Sequence, residues 1–187
     1  AGGRPRGPVD GLGMRWLGGG GAKWLRQSRG VKCDADQVMI VSGAQQALDL
    51  IARALVDPGD VIATEDPGYE GIRGVLAASG ATLLPIPVDE DGLQVDRLDQ
   101  GPPARIVVTT PSRNYPLGTT LSLARRLALL AWADAHDAWI VEDDYDSDYR
   151  YDGPPLSSLQ GLDRQNRVLY VGTFSRVLFP GIRLGYL

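Results

Sequence analysis

The chain reads as an α/β protein, a three-layer sandwich around a mostly parallel sheet, and two observations carry that expectation. From Gln37 onward, short runs of β-branched residues alternate with longer stretches of helical periodicity, the pattern of parallel strands joined by crossover helices. With 187 residues, 43% of them hydrophobic, the chain can also bury a sizeable core.

The elements follow in order. Residues 1–32 carry Arg4, Arg6, Arg15, Lys23, Arg26, Arg29 and Lys32 against Asp10 alone, and Gly18 to Gly21 are expected to interrupt any helix. This part is therefore expected to be a basic, glycine-rich arm, loose or partly helical, with residues 33–187 forming the domain proper. Strands are expected at about Gln37 to Val41, Val61 to Thr64, Thr82 to Ile86, Ile106 to Thr109, Trp139 to Glu142, Val168 to Gly172 and Arg183 to Leu187. Helices are expected at about Ala44 to Val56, Tyr69 to Ser79 and Ser122 to His136. The first has Ala47, Leu48, Ile51, Ala52 and Leu55 at helical spacing and stops at Asp57-Pro58-Gly59; the third is expected to turn Leu123, Leu127, Leu130 and Ala131 to the core. The last strand stops at Leu187 without a closing helix, so the chain is expected to be truncated, part of something longer.

Composition excludes several classes. A net charge of −4 argues against a broad nucleic-acid footprint, and no helix-turn-helix with a periodic apolar face can be drawn through the basic arm. Cys33 and His136 each stand alone, so neither a disulfide nor a metal site is expected. No apolar run approaches the roughly 18 to 20 residues that span a bilayer, and a cytoplasmic location is the expectation.

Four turns carry candidate chemistry. Ser42-Gly43-Ala44-Gln45 joins a strand to a helix, where free backbone N–H groups and the helix dipole make a seat for phosphate. Val141-Glu142-Asp143-Asp144-Tyr145 closes an apolar strand at its C-terminal end, where ligands of open α/β sheets gather. There Asp143 suits a protonated ring nitrogen, and Tyr145, two residues on, is expected on the same side. Asp66-Pro67-Gly68-Tyr69 offers an aromatic ring to a flat ligand, and Thr110 to Gly118 brings Asn114 and Tyr115 within reach of a ring substituent. Read singly, each also describes an ordinary turn. A dinucleotide or P-loop fold would instead need G-x-G-x-x-G or a Walker turn, and Ser42 to Gln45 is neither.

In this order on this strand pattern, the turns resemble the large domain of class I and II aminotransferases, fold-type I enzymes dependent on pyridoxal 5'-phosphate (PLP). Within that group the similarity is greatest to the aminotransferase-like domain of MocR-type regulators of the GntR family. SGAQQALDL (Ser42 to Leu50), EDPGY (Glu65 to Tyr69), SLARRLALLAW (Ser122 to Trp132), WIVEDDYDSDYRY (Trp139 to Tyr151) and Tyr170 to Tyr186 carry the resemblance over about residues 25–187. It implies a seven-stranded sheet whose last strand runs antiparallel. It also implies that Gly43, Ala44 and Gln45 bind the PLP phosphate, with Thr173, Ser175 and Arg183 adding contacts. Tyr69 would stack on the ring, Asp143 would meet the pyridine nitrogen, and Tyr145 and Asn114 would reach the ring's substituents. An amino-acid or amine substrate or effector and a homodimer are implied as well.

The chain departs from that pattern at its centre. Arg176 stands where the family has the lysine that attaches PLP covalently, and a guanidinium stays protonated and offers no free amine. The only lysines, Lys23 and Lys32, match no catalytic position. The loop reads Arg113-Asn114 where MocR-type domains usually have His-Gln, and neither a C-terminal small domain nor a winged-helix DNA reader falls within these residues. The expectation is an aminotransferase-like domain that binds PLP noncovalently and does not turn over, with a PLP-sensing module or an inactive fragment as alternatives.

Overall fold

The computed structural model describes residues 9–10, 13–145, 157–175 and 180–187. Arg176 lies outside the described residues. The elements are β1 (Val9–Asp10), β2 (Gly13–Met14), α1 (Arg15–Arg29), β3 (Ile40–Val41), α2 (Ala44–Leu55), β4 (Val61–Asp66), α3 (Glu70–Ala77), β5 (Thr82–Asp89), β6 (Gly92–Leu93), β7 (Ile106–Thr109), α4 (Leu123–Ala135), β8 (Trp139–Asp144), α5 (Leu159–Leu162), β9 (Val168–Thr173) and β10 (Gly185–Tyr186).

Among the described residues the main sheet has eight strands in the order β3-β10-β9-β8-β7-β4-β5-β6. Strands β5, β4, β7, β8 and β9 run parallel, while β10 is antiparallel to both β9 and β3. Seven strands were expected; the eighth is β6, which returns along β5 through a turn where Gly92 takes φ +92°, a conformation that favours glycine. The central strands are apolar on both faces, as a sheet covered on both sides requires. Ala63, Val107 and Ile140 pack with Leu129, Trp132 and Ala133 of α4 on one face. Ile62, Ile106, Val108 and Val141 pack with Leu48 and Ile51 of α2 and with Ile72 and Leu76 of α3 on the other.

Three local expectations are corrected. Helix α1 runs unbroken through Gly18 to Gly21. Ala22 and Leu25 are buried with Val31, Val38, Tyr170 and Tyr186, and Gly18 lies so close to Ala35 O that a Cβ would come to 3.3 Å. Tertiary burial thus offsets a glycine cost of about 1 kcal/mol per residue. The first core strand is shorter than expected, because Ala35–Gln37 form a 3₁₀ turn in which Gln37 Oε1 accepts from Asp34 N at 2.8 Å.

The inward face of α4 is also rotated. Arg126, Leu129, Trp132 and Ala133 are buried, whereas Leu123 and Leu127 are 51% and 52% exposed. The cause is Arg126, whose guanidinium donates to the carbonyls of Leu121 (2.9 Å), Pro111 (2.7 Å) and Ser157 (2.9 Å). A charge so fully hydrogen-bonded can take an interior position that periodicity assigns to a leucine. Among the described residues no helix is long and apolar enough to cross a membrane.

Candidate functional site

The C-terminal ends of β4, β7, β8 and β9 lie along one edge of the sheet, because parallel strands in register finish together. Beside them opens a cavity of about 430 Å³ lined by Gly43, Ala44, Gln45, Tyr69, Thr110, Tyr115, Asp143, Tyr145, Thr173, Ser175 and Arg183. Ten of those positions, all but Thr110, are sequence candidates, drawn together from six separate stretches of chain.

One end of the cavity is the start of α2. Gly43 takes φ +81°, and a Cβ on Gly185 would fall 2.8 Å from Gly43 Cα. Two glycines back to back let the strand-to-helix turn lie flat on β10 and present the first N–H groups of α2 to the cavity. Thr173, Ser175 and Arg183 flank the same space, with Ser175 N donating to Thr173 Oγ1 at 3.1 Å. Backbone donors, hydroxyls and one guanidinium suit a dianionic group.

The opposite chemistry sits on β8. Asp143 is buried and lines the cavity, and its Oδ1 finds no hydrogen-bond partner among the described residues. Burial, then the Asp144 and Glu65 carboxylates, push its pKa up to about 7. Its neighbours on the strand are committed elsewhere. Glu142 accepts from Leu159 N and Gln160 N, both at 3.0 Å, and burial raises it to about 7. Asp144 Oδ2 pairs with Arg29 Nε at 3.3 Å and accepts from the Tyr170 hydroxyl. Asp143 is thus a buried acid aimed into a cavity, which suits a cationic N–H of a ligand.

The aromatic wall comes from two loops. Tyr69 and Tyr115 are 49% and 50% exposed and meet edge to face, with ring centroids 5.8 Å apart. Gly68 and Gly71 make the Tyr69 turn possible: a Cβ at Gly68 would lie 2.5 Å from Glu65 O, and one at Gly71 would lie 2.5 Å from the Tyr69 ring.

Asn114 is placed elsewhere than expected. It is buried and donates to Glu65 Oε2 at 2.9 Å and to Pro67 O at 3.2 Å, and it does not line the cavity; Tyr115 and Thr110 do. The physical reason is Glu65, a buried carboxylate that needs donors and takes the amide. In the sequence Glu65 belongs to a motif that shows only a turn; the signal for its role is the pair Thr109-Thr110 at the end of β7, the strand beside β4. Neither lysine lines the cavity: Lys23 is exposed, and Lys32 Nζ donates to Asp163 O at 3.1 Å. Among the described residues no three His, Cys, Asp or Glu side chains converge to hold a metal ion.

The family model for aminotransferase class I and II matches residues 21–187. The probable rhizopine catabolism regulatory protein MocR of Rhizobium meliloti is 48% identical over 166 residues, which is 89% of this chain and 34% of that protein. The HTH-type transcriptional regulator TauR of Rhodobacter capsulatus is 47% identical over 161 residues, 85% of this chain and 32% of that protein. The chain therefore spans about a third of the length of these relatives. Among solved structures, the Pyrococcus horikoshii kynurenine aminotransferase, in complex with PMP, superposes with a TM-score of 0.87 at 36% identity, covering 94% of this chain and 45% of that one. The Thermus thermophilus α-aminoadipate aminotransferase LysN, complexed with N-(5'-phosphopyridoxyl)-L-leucine, gives a TM-score of 0.85 at 30% identity, covering 94% and 45%. With its fold and the greater part of its length matched, this chain belongs to the class I and II aminotransferase family.

Proposed function

We propose that the chain is a PLP-binding, aminotransferase-type domain of a MocR-like transcriptional regulator, and that it holds the cofactor without covalent attachment. The observation that carries this reading is Asp143, a buried carboxyl lining the cavity with an oxygen that no group among the described residues satisfies. Asp143 would meet the pyridine nitrogen of PLP, whose ring acts as an electron sink when bound. Gly43, Ala44, Gln45, Thr173, Ser175 and Arg183 would hold the phosphate, Tyr69 would cover the ring, and Tyr145 would bind its phenolic oxygen.

Amino-group transfer by this chain is disfavoured. Covalent attachment needs a deprotonatable amine, and Arg176 stands at the lysine position while both lysines lie away from the cavity. The regulators among the relatives favour sensing over turnover. In this reading residues 33–187 form the cofactor domain with α1 against it, the ligand beside PLP is an amino acid or amine, the working state is a homodimer, and the location is cytoplasmic.

Titration of the purified protein with PLP, followed by absorbance and tryptophan fluorescence, tests the proposal. Saturable binding weakened by competing inorganic phosphate is expected. Absence of saturation up to about 1 mM, a free energy of about 4 kcal/mol, would overturn it.

A further inference from the structure

Glu65, the last inward-facing residue of β4, is buried, and each of its carboxylate oxygens is claimed by two donors. Oε1 accepts from Thr109 Oγ1 at 2.5 Å and Thr110 N at 3.0 Å; Oε2 accepts from Thr110 Oγ1 at 2.5 Å and Asn114 Nδ2 at 2.9 Å. No cation is among these partners. A buried carboxylate held only by neutral donors owes its place to the geometry of those donors, so it fixes them in turn.

What it fixes is informative. Thr109 ends β7, Thr110 opens the loop that follows, and Asn114 lies in that loop immediately before Tyr115. The same Asn114 amide also donates to Pro67 O at 3.2 Å, inside the turn that carries Tyr69. That turn folds back on Glu65 itself, as the Gly68 approach to Glu65 O requires. One carboxylate therefore ties together the two backbone segments whose rings meet at 5.8 Å over the cavity.

We propose that Glu65 is the positioning residue that sets Tyr115 against Tyr69 and so fixes the width of the aromatic wall of the cavity. Glu65 touches neither ring and acts through Asn114. The consequence for a flat ligand rests on the PLP reading above, whereas the placement of the rings does not, and the test separates the two.

The test replaces the ionic hydrogen bond by one of reversed polarity. In Glu65→Gln the new amide N–H faces the Asn114 amide, donor against donor; in the double variant Glu65→Gln/Asn114→Asp, the amide donates to the new carboxylate and one negative charge remains. Protein carrying 3-fluorotyrosine at its seven tyrosines is examined by ¹⁹F NMR without cofactor, the Tyr69 and Tyr115 signals being assigned with Phe substitutions. Both signals are expected to shift in Glu65→Gln, and the Tyr115 signal to return toward its original position in the double variant, which restores the pair between residues 65 and 114 but not the Asn114 donation to Pro67 O. In parallel, PLP affinity is expected to fall about tenfold or more in the single variant and to recover in part in the double.

Unmoved signals in Glu65→Gln, or a Tyr115 shift that the double variant does not reverse, overturn the proposal. If the signals behave as expected but no variant and no wild-type protein binds PLP, the proposal stands and the cofactor reading fails. Should Glu65→Gln not fold, Thr109→Val removes a single donor of similar shape. Smaller shifts in the same direction are then expected, and their absence overturns the proposal.

Discussion

Asp143 and Asp144 are adjacent on β8 and meet opposite surroundings: Asp144 Oδ2 is paired with Arg29 Nε at 3.3 Å and hydrogen-bonded by Tyr170, whereas Asp143 Oδ1 has no partner among the described residues. Strand alternation alone separates them, sending one carboxyl into the cavity and the other toward α1.

The two positions are therefore expected to separate function from stability. Asp143→Asn should weaken PLP binding by about tenfold or more with little loss of fold, since no protein hydrogen bond is removed at Oδ1. Asp144→Asn should lower stability by about 2 to 4 kcal/mol, because it leaves Arg29 with a neutral partner in a nearly buried place. PLP titration and urea unfolding of each variant measure the split, and equal affinity losses at both positions would count against this division.

The pH dependence of the cofactor-free protein follows from the same strand. Burial holds both Asp143 and Glu142 at about 7, above their ordinary values of 3.8 and 4.5. Raised carboxyl pKa values mean that the folded state keeps protons the unfolded chain has released. Their stabilising contribution is thus full below about pH 4 and is lost as pH rises through 7. Each group contributes a slope of about 1.4 kcal/mol per pH unit within that window. Asp143→Asn should flatten the fall between pH 5 and 8 as followed by urea unfolding; an unchanged slope would show that Asp143 does not titrate there.

Covalent chemistry at residue 176 should depend on that side chain alone. Borohydride reduction of the PLP-loaded protein, followed by peptide mass mapping, is expected to find no phosphopyridoxyl group on the peptide containing Arg176. In Arg176→Lys the same peptide is expected to become labelled. A label on the unaltered chain, or none on the variant, would contradict the role inferred for this position.

Gly185→Ala is expected to disturb the phosphate end of the cavity from behind. Its methyl would lie 2.8 Å from Gly43 Cα and 3.0 Å from Gly172 O, both backbone atoms that cannot rotate away. A stability loss of about 1 to 3 kcal/mol is expected, with weaker competition by inorganic phosphate against PLP. Wild-type phosphate competition in the variant would mean that the turn does not depend on this approach.

The strand-helix alternation, the parallel sheet and ten of the cavity-lining positions were legible in the sequence, because each rests on local pattern: period in α2, apolar runs in β4 and β7, a glycine turn at Gly43. What escaped rests on contacts between distant segments. Helix α1 forms across four glycines because Tyr170 and Tyr186 cover it, and no window of sequence contains both parties. Arg126 takes a leucine's place because carbonyls of two other segments, at Pro111 and Ser157, await it beside that of Leu121. Asn114 faces Glu65 rather than the cavity for the same reason, a partner 49 residues away.

Helix α1 touches the cavity's supports at two points without entering it. Arg29 grips Asp144, next to the cavity acid, while the Trp24 ring lies 5.7 Å from Phe174, the residue between Thr173 and Ser175. The helix thus behaves as a yoke laid across both the acidic and the phosphate ends. Because linked equilibria are reciprocal, tightening of either end by a ligand raises the free energy needed to lift α1 away, and traction on α1 loosens the grip on that ligand by the same amount.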